Sequence, residues 1–221
     1  MQNAINYEQA RFNMVEQQLR TWEVLDQKVL DVIGDIPREA FVPDDFQSMA
    51  YADINVPLPE GQVMMAPRLE ARLAQALRIE SGDRILEIGT GSGFLTAVLA
   101  KLGKEVVSVE ISDTLATAAE KRLASQGVTN ARVVCADGVD GRPDDGPYDA
   151  IAVTGSVPVI RDSYLPQLRP GGRLFVIVGE EPAMEAQLIT RVGDTSRSVE
   201  SLFETVLPPL QGALPPKQFK L

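Results

Sequence analysis

Arg84-Ile85-Leu86-Glu87-Ile88-Gly89-Thr90-Gly91-Ser92-Gly93-Phe94 is an apolar run that takes in one acid and then carries glycine at three alternate positions. The pattern predicts a buried strand that delivers the chain into a tight turn at the lip of a sheet. There the glycines let the backbone approach a bound nucleoside closely. A small-molecule cofactor site is therefore expected near residue 89.

Outward from this turn the pattern is orderly. A helix is expected over 68–77, a turn at Ser81-Gly82-Asp83 before the strand Arg84–Ile88, and a helix over 94–102 after the glycines. Strand 105–109, helix 113–126, strands 131–136 and 150–153, a helical stretch 163–168 and, past Pro170-Gly171-Gly172, strand 173–178 follow. Strands alternating with helices imply right-handed crossovers, so the fold class is α/β with a doubly wound, mostly parallel sheet. Upstream, Phe12, Val15, Leu19, Leu25, Val29 and Ile33 recur at mostly helical spacing, broken near Thr21 to Leu25, which suggests two helices. Prolines at 37, 43, 57 and 59 then mark a turn, a short helix and an extended loop. Residues 1–67 are expected to form an N-terminal helical cap with a substrate-side loop, and 68–221 the cofactor-binding domain, together one compact unit. The proline-rich tail from Leu207 is expected to wrap or fray without chemistry of its own.

Composition narrows the function classes. Of 221 residues 44% are hydrophobic, enough for a substantial core. Met1 to Gln9 show neither a basic start nor an apolar core, and no apolar run approaches the roughly 18 residues of a membrane span. A cytoplasmic location without membrane partners is the expectation. One cysteine and no histidine leave little from which to build a metal centre, so no metal is expected. With 21 basic against 31 acidic residues the net charge is −10, which repels phosphate backbones and argues against a nucleic-acid partner.

A glycine turn alone is a weak signal, and the spacing sharpens it. Gly89-x-Gly91-x-Gly93 is not the Gly-x-Gly-x-x-Gly of dinucleotide sites, and no Gly-Lys-Ser/Thr closes a phosphate loop. Glu87, two residues ahead, would repel a pyrophosphate but suits a cationic amino acid portion. S-adenosylmethionine carries both an ammonium and a sulfonium. Glu110 ends the next strand, roughly twenty residues on, where a carboxylate can accept both ribose hydroxyls. Asp137-Gly138 ends the third, where the acid can take an exocyclic amine and the glycine leaves room for an adenine ring. Any one of these acids alone would pass for a solvated turn residue; three with the glycines make a coherent nucleoside site.

The chain resembles the protein-L-isoaspartate O-methyltransferases over roughly Met14 to Val178. The resemblance is carried by Met14-Val15-x-x-Gln18-Leu19, Asp26-x-x-Val29-Leu30, Ile36-Pro37-Arg38-Glu39-x-Phe41-Val42-Pro43, Ala50-Tyr51-x-Asp53 and Leu58-Pro59. The turn Leu86 to Gly93, Tyr148-Asp149-Ala150-Ile151-x-Val153-Thr154 and Leu168-x-Pro170-Gly171-Gly172-Arg173-Leu174 are similar as well. It implies a Rossmann-like methyltransferase that uses S-adenosyl-L-methionine to methylate the carboxylate of isoaspartyl residues in damaged protein or peptide. Glu87, Gly89, Thr90, Gly91 and Gly93 would then seat the methionine portion, Glu110 and Ile111 the ribose side, and Asp137 and Gly138 the adenine.

One segment departs from the family. Where the family usually has Gln-Thr-Ile-Ser, one residue and Pro, this chain has Gln62-Val63-Met64-Met65-Ala66-Pro67. Gln62 and Pro67 keep their places on the substrate side, but Val63 and Met65 replace two hydroxyls, Met65 standing at the Ser implicated in the active site. An ionised carboxylate needs no strong base to attack a sulfonium methyl, so alignment, dryness and donors to the carboxylate set the rate. One lost hydrogen bond to a charged group weakens binding or rate roughly ten- to hundredfold. Two alternatives stay open: a family fold turned to another acceptor, such as a small metabolite, and a non-catalytic module that binds the cofactor.

Other residues carry less. Arg38 and Arg68 are expected in surface or capping roles, with neutralisation of a substrate carboxylate as the alternative. Thr154-Gly155-Ser156 lacks the Asn/Asp-Pro-Pro-aromatic tetrad of amino-methylating enzymes. Trp22 is expected to pack a cap helix, and Cys135 to be a small buried hydrophobe.

Overall fold

A computed structural model describes residues 5–213. The N-terminal block begins with α1 (Tyr7–Asn13), which runs on through a wide π turn (Met14–Leu19) and a 3-10 turn (Arg20–Trp22). Asp26 caps α2 (Gln27–Asp35) by accepting from the Lys28 amide at 2.9 Å. Only part of the apolar stripe expected here is inward: Leu19, Val29 and Ile33 are buried, but Phe12 is 61% and Leu25 71% exposed. A short antiparallel ribbon, β1 (Val56–Pro57) with β2 (Val63–Met64), then leads into α3 (Pro67–Leu77). Pro67 opens α3 at a position where its missing N–H is harmless, and Leu69, Leu73 and Leu77 form its buried stripe.

The remainder builds a seven-stranded sheet. Its strands are β3 (Arg84–Ile88), β4 (Glu105–Glu110), β5 (Ala131–Cys135), β6 (Tyr148–Val157), β7 (Leu168–Glu180), β8 (Ala183–Arg191) and β9 (Arg197–Thr205), in the order β5-β4-β3-β6-β7-β8-β9. Pairing is parallel from β5 to β7 and antiparallel from β7 to β9. Helices α4 (Phe94–Leu102), α5 (Asp113–Ser125) and α6 (Tyr164–Gln167) fill the crossovers. The Ser112 side chain caps α5 on the Leu115 amide, and α5 buries Leu115, Ala119 and Leu123.

Parity explains why the parallel strands read as continuous apolar runs. Ile85, Val106, Ala150, Ala152, Phe175 and Ile177 face a core shared with the N-terminal block, α3 and α4. Leu86, Ile88, Val107, Val109, Ile151, Val153, Leu174 and Val176 face a second core with Tyr148 and Tyr164. β3, β4, β6 and β7 are thus buried on both sides, whereas the edge strand β5 is not. The chain winds outward from β3 to β5, then jumps back to β6 beside β3. That reversal puts the topological switch point at the carboxyl end of β3, which is the glycine turn.

Several boundaries and placements need correction. β6 and β7 are longer than expected, and β7 starts before Pro170 rather than after Gly172. The antiparallel pair β8 and β9 was not anticipated. Cys135 is exposed because β5 is an edge strand. Trp22 is 41% exposed, its ring under the Arg68 guanidinium at 4.5 Å, so it is not packed into a cap helix. Arg38 is neither on the surface nor available to a substrate. It is fully buried, paired with buried Glu70, and donates to the carbonyls of Ala50 (2.8 Å) and Met65 (2.6 Å). Arg68 pairs with Asp53.

Candidate active site

Three loops at the carboxyl ends of β3, β4 and β5 meet the β1–β2 lip and the residues after β9 around one cleft. Gly89 shows why the turn needs glycine. Its φ is +96°, and an added Cβ would overlap the Thr154 hydroxyl, which donates to the Ile88 carbonyl at 2.8 Å and the Gly89 carbonyl at 2.6 Å. The turn is also locked to its neighbour, the Gly89 amide donating to the Val109 carbonyl at 2.8 Å.

Glu110 ties the turn to the next strand end. One of its oxygens accepts from the Gly91 amide at 2.8 Å and the other from the Ser112 amide at 3.0 Å. Each oxygen keeps a lone pair for a ligand hydroxyl, so a ribose would meet an acceptor already fixed in place.

Glu87 differs. It is fully buried on the face of β3 toward α4, where one oxygen accepts from the hydroxyls of Thr96 and Ser108, the latter at 2.6 Å. Because the single Ser108 proton is spent on Glu87, Thr90 must donate to Ser108 across their 2.6 Å contact. The other Glu87 oxygen has no partner although it is buried. Burial pushes this carboxyl up to about 8, with Ser108 and Thr96 pulling the other way and Glu70 and Glu110 adding to the rise. An orphaned acid atom in a cleft wall fits a cationic ligand, because an ammonium would supply the missing partner.

Asp137 is exposed at the end of β5, one oxygen accepting from the Val139 amide at 3.0 Å, beside Gly138 packed on Val109 and Ile88. Of the residues expected at the site, Gln62, Val63, Met64, Met65, Glu87, Gly89, Thr90, Gly91, Glu110, Ile111, Asp137 and Gly138 line the cleft. Gly93 and Pro67 do not: Gly93 caps α4 against Ala119, and Pro67 opens α3. Met64 and Met65 are both almost fully buried, and the wall of the cleft they form with Val63, Leu207 and Pro208 is apolar.

Sequence reasoning missed the far wall. Residues 207–211 line the cleft because Ser156, inside β6, anchors them: its amide donates to the Pro208 carbonyl at 3.0 Å, its hydroxyl to the Leu207 carbonyl at 2.9 Å, and its carbonyl accepts from the Leu210 amide at 2.9 Å. Residues 207–211 therefore belong to the cleft; the rest of the tail expected to wrap or fray, 214–221, lies outside the described residues. Ser156 and Thr154 spend their hydroxyls on backbone. Glu70, a further cleft-lining acid, is held by Arg38, and burial still raises its carboxyl to about 7.

A doubly wound sheet with a glycine turn at its switch point and acids on three successive strand ends defines a Rossmann-like, S-adenosylmethionine-dependent methyltransferase. Comparison with known proteins narrows the class. Residues 9–214 match the family model described as protein-L-isoaspartate(D-aspartate) O-methyltransferase. A protein-L-isoaspartate O-methyltransferase of Methanoculleus marisnigri is 43% identical over 184 residues, 83% of this chain and 84% of that one. Protein-L-isoaspartate O-methyltransferase 2 of Shewanella sediminis is 40% identical over 192 residues, 86% and 79% of the two chains. A solved protein-L-isoaspartate O-methyltransferase superposes with TM-score 0.81 at 29% identity, covering 93% of this chain and 67% of that one. A Plasmodium falciparum structure in complex with S-adenosyl-L-homocysteine shares the fold at TM-score 0.77 and 20% identity, over 94% and 99%. The chain belongs to the protein-L-isoaspartate O-methyltransferase family. Among the described residues no helix is long and apolar enough to cross a membrane.

Proposed function

We propose that this enzyme transfers the methyl group of S-adenosylmethionine to the carboxylate of isoaspartyl residues in proteins or peptides. The observation that carries the reading is the convergence of Gln62–Met65 and the three strand-end acids on one cleft, in a chain of this family. Residues 1–67 act as cap and substrate-side loop on the cofactor domain 68–221. Glu87 and the 89–93 turn would hold the methionine portion of the bound cofactor, Glu110 the ribose and Asp137 the adenine amine. When bound, S-adenosylmethionine would supply its sulfonium methyl to the acceptor carboxylate, the O–C bond forming as the C–S bond breaks and its electron pair staying on sulfur. No proton moves, so the protein aligns and dehydrates the reactants. Release of base-labile methyl from an isoaspartyl peptide tests the assignment, and binding of the cofactor without any methyl ester would contradict it.

Met65 limits the rate in this account. The neighbouring Ala66 amide already donates to Asn55 at 2.9 Å, so this donor does not serve a substrate carboxylate. Met65→Ser restores a hydroxyl and is expected to raise kcat/KM on an isoaspartyl peptide about tenfold while lowering Tm, since a buried apolar side chain is lost. A steady-state assay with a melting curve checks both; unchanged kcat/KM in a folded variant would remove Met65 from the acceptor site.

Glu87 and Glu70 make stability fall with rising pH. Unfolded, both carboxyls titrate near 4.5; folded, near 8 and 7, so the native state binds more protons between these values. That stabilisation is whole below about 4.5 and is lost as pH rises through 7 to 8. Ligand-free Tm is expected to drop from pH 6 to pH 9, and Glu87→Gln to flatten the upper part of the decline. An equally steep decline in Glu87→Gln would show that Glu87 is already ionised.

A further inference from the structure

A further groove lies behind the acceptor lip, lined by Trp22, Asn55, Ala66, Arg68, Phe203 and Val206 among others. It shares two walls with the active-site cleft. Met65 faces the cleft and Ala66 the groove; on the other side Leu207 faces the cleft and Val206 the groove. Two peptide units therefore form the ridge between them. An extended polypeptide advances about 3.3 Å per residue, so two to four residues from the acceptor are enough to cross it.

The chemistry of the groove selects its occupant. Arg68 stacks on Trp22 with its guanidinium carbon 4.5 Å from the ring centroid, and Arg72 on Phe203 at 4.8 Å. Both charges are already matched, Arg68 by Asp53 and Arg72 by Glu23, the latter at 3.0 Å. Arg72 also donates to the Trp22 carbonyl at 3.0 Å, which pins the loop that presents the indole. What remains open is mixed: Trp22 is 41% and Val206 46% exposed, beside the uncharged polar residues Asn55 and Thr205. An ionic flank finds no unpaired opposite charge there, and an acidic one meets a protein of net charge −10. An aromatic or aliphatic side chain finds rigid rings and stacked guanidinium edges, the composition of binding hot spots.

We propose that this groove holds an apolar or aromatic side chain of the substrate polypeptide, two to four residues from the isoaspartyl, and so selects sequence context. The proposal rests on the polypeptide-substrate reading above. Trp22 is the only tryptophan in the chain, so its emission reports the groove alone. Isoaspartyl peptides free of tryptophan and tyrosine, with one phenylalanine moved through positions two to four on either side and glycine elsewhere, are titrated with S-adenosylhomocysteine present and assayed for methylation. At one position phenylalanine is expected to lower KM at least fivefold against glycine and to shift Trp22 emission to the blue. In Trp22→Ala that preference collapses toward unity, and Trp22→Phe retains part of it. A blue shift without methylation keeps the groove and sinks the activity. Methylation with less than a twofold preference at every position and no emission change overturns the groove and leaves the activity standing; loss of both overturns both.

Discussion

Glu110→Ala is expected to weaken S-adenosylmethionine binding by roughly 100-fold or more, because two hydrogen bonds to a charged acceptor, each of about 1.5–3 kcal/mol, are removed together. The loss also reaches into the apo protein. The Gly91 and Ser112 amides, which donate to Glu110 at 2.8 and 3.0 Å, lose their acceptor. Ser112 further donates to Glu60 at 2.9 Å, so the strand end, the glycine turn and the lip loop are one connected unit. Glu110→Gln, which keeps an acceptor oxygen but loses the charge, should fall between. Calorimetric titration separates the cases, and an affinity within threefold of wild type in Glu110→Ala would show that ribose is held elsewhere.

Arg38→Ala is expected to cost about 3–5 kcal/mol of stability, or roughly 6–20 °C in Tm for a chain of this size. The guanidinium is fully buried, donates to two carbonyls, pairs with Glu70 and lies 4.6 Å from the Phe94 ring centroid. Removing it strands Glu70, whose carboxyl burial already pushes up to about 7 against the pull of Arg38. Proton uptake by Glu70 relieves part of the penalty, so the loss should be larger at pH 8 than at pH 6. Arg38→Ala combined with Glu70→Leu should recover much of it, since neutral packing replaces an uncompensated charge. Activity should fall as well, because Arg38 fixes the Met65 carbonyl and hence the lip. A loss below 1 kcal/mol in denaturant unfolding would show that the pair is not what holds the lip.

The parallel half of the fold was legible because burial on both faces writes itself as mostly apolar runs, closed at β3 by Gly89, at β4 by Glu110 and at β5 by Asp137-Gly138. Arg84–Ile88 and Phe94–Leu102 fall where their patterns predict. The antiparallel half was not. Ala183–Arg191 alternates, with Met184, Ala186 and Leu188 inward, but its Ala, Glu, Gln and Leu favour helix as much as strand, and most of Arg197–Thr205 is exposed. Edge position also exposes Cys135, since a strand says nothing of its neighbours until the order of the sheet is known. The cleft-lining residues at the ends of β3, β4 and β5 could be read from their glycines and acids. The 207–211 wall could not, because it depends on Ser156 of β6 some fifty residues earlier. Arg38 looked like a surface residue for a related reason. An isolated arginine carries no sign of the buried acid on α3 that waits for it.

The most direct test is methyl transfer from labelled S-adenosylmethionine to a pair of peptides that differ only in whether one aspartyl linkage is normal or iso. A base-labile methyl ester is expected on the isoaspartyl peptide alone, lost in Glu110→Ala and increased in Met65→Ser. Tight cofactor binding with no ester on either peptide, or equal labelling of both, would contradict the isoaspartyl assignment.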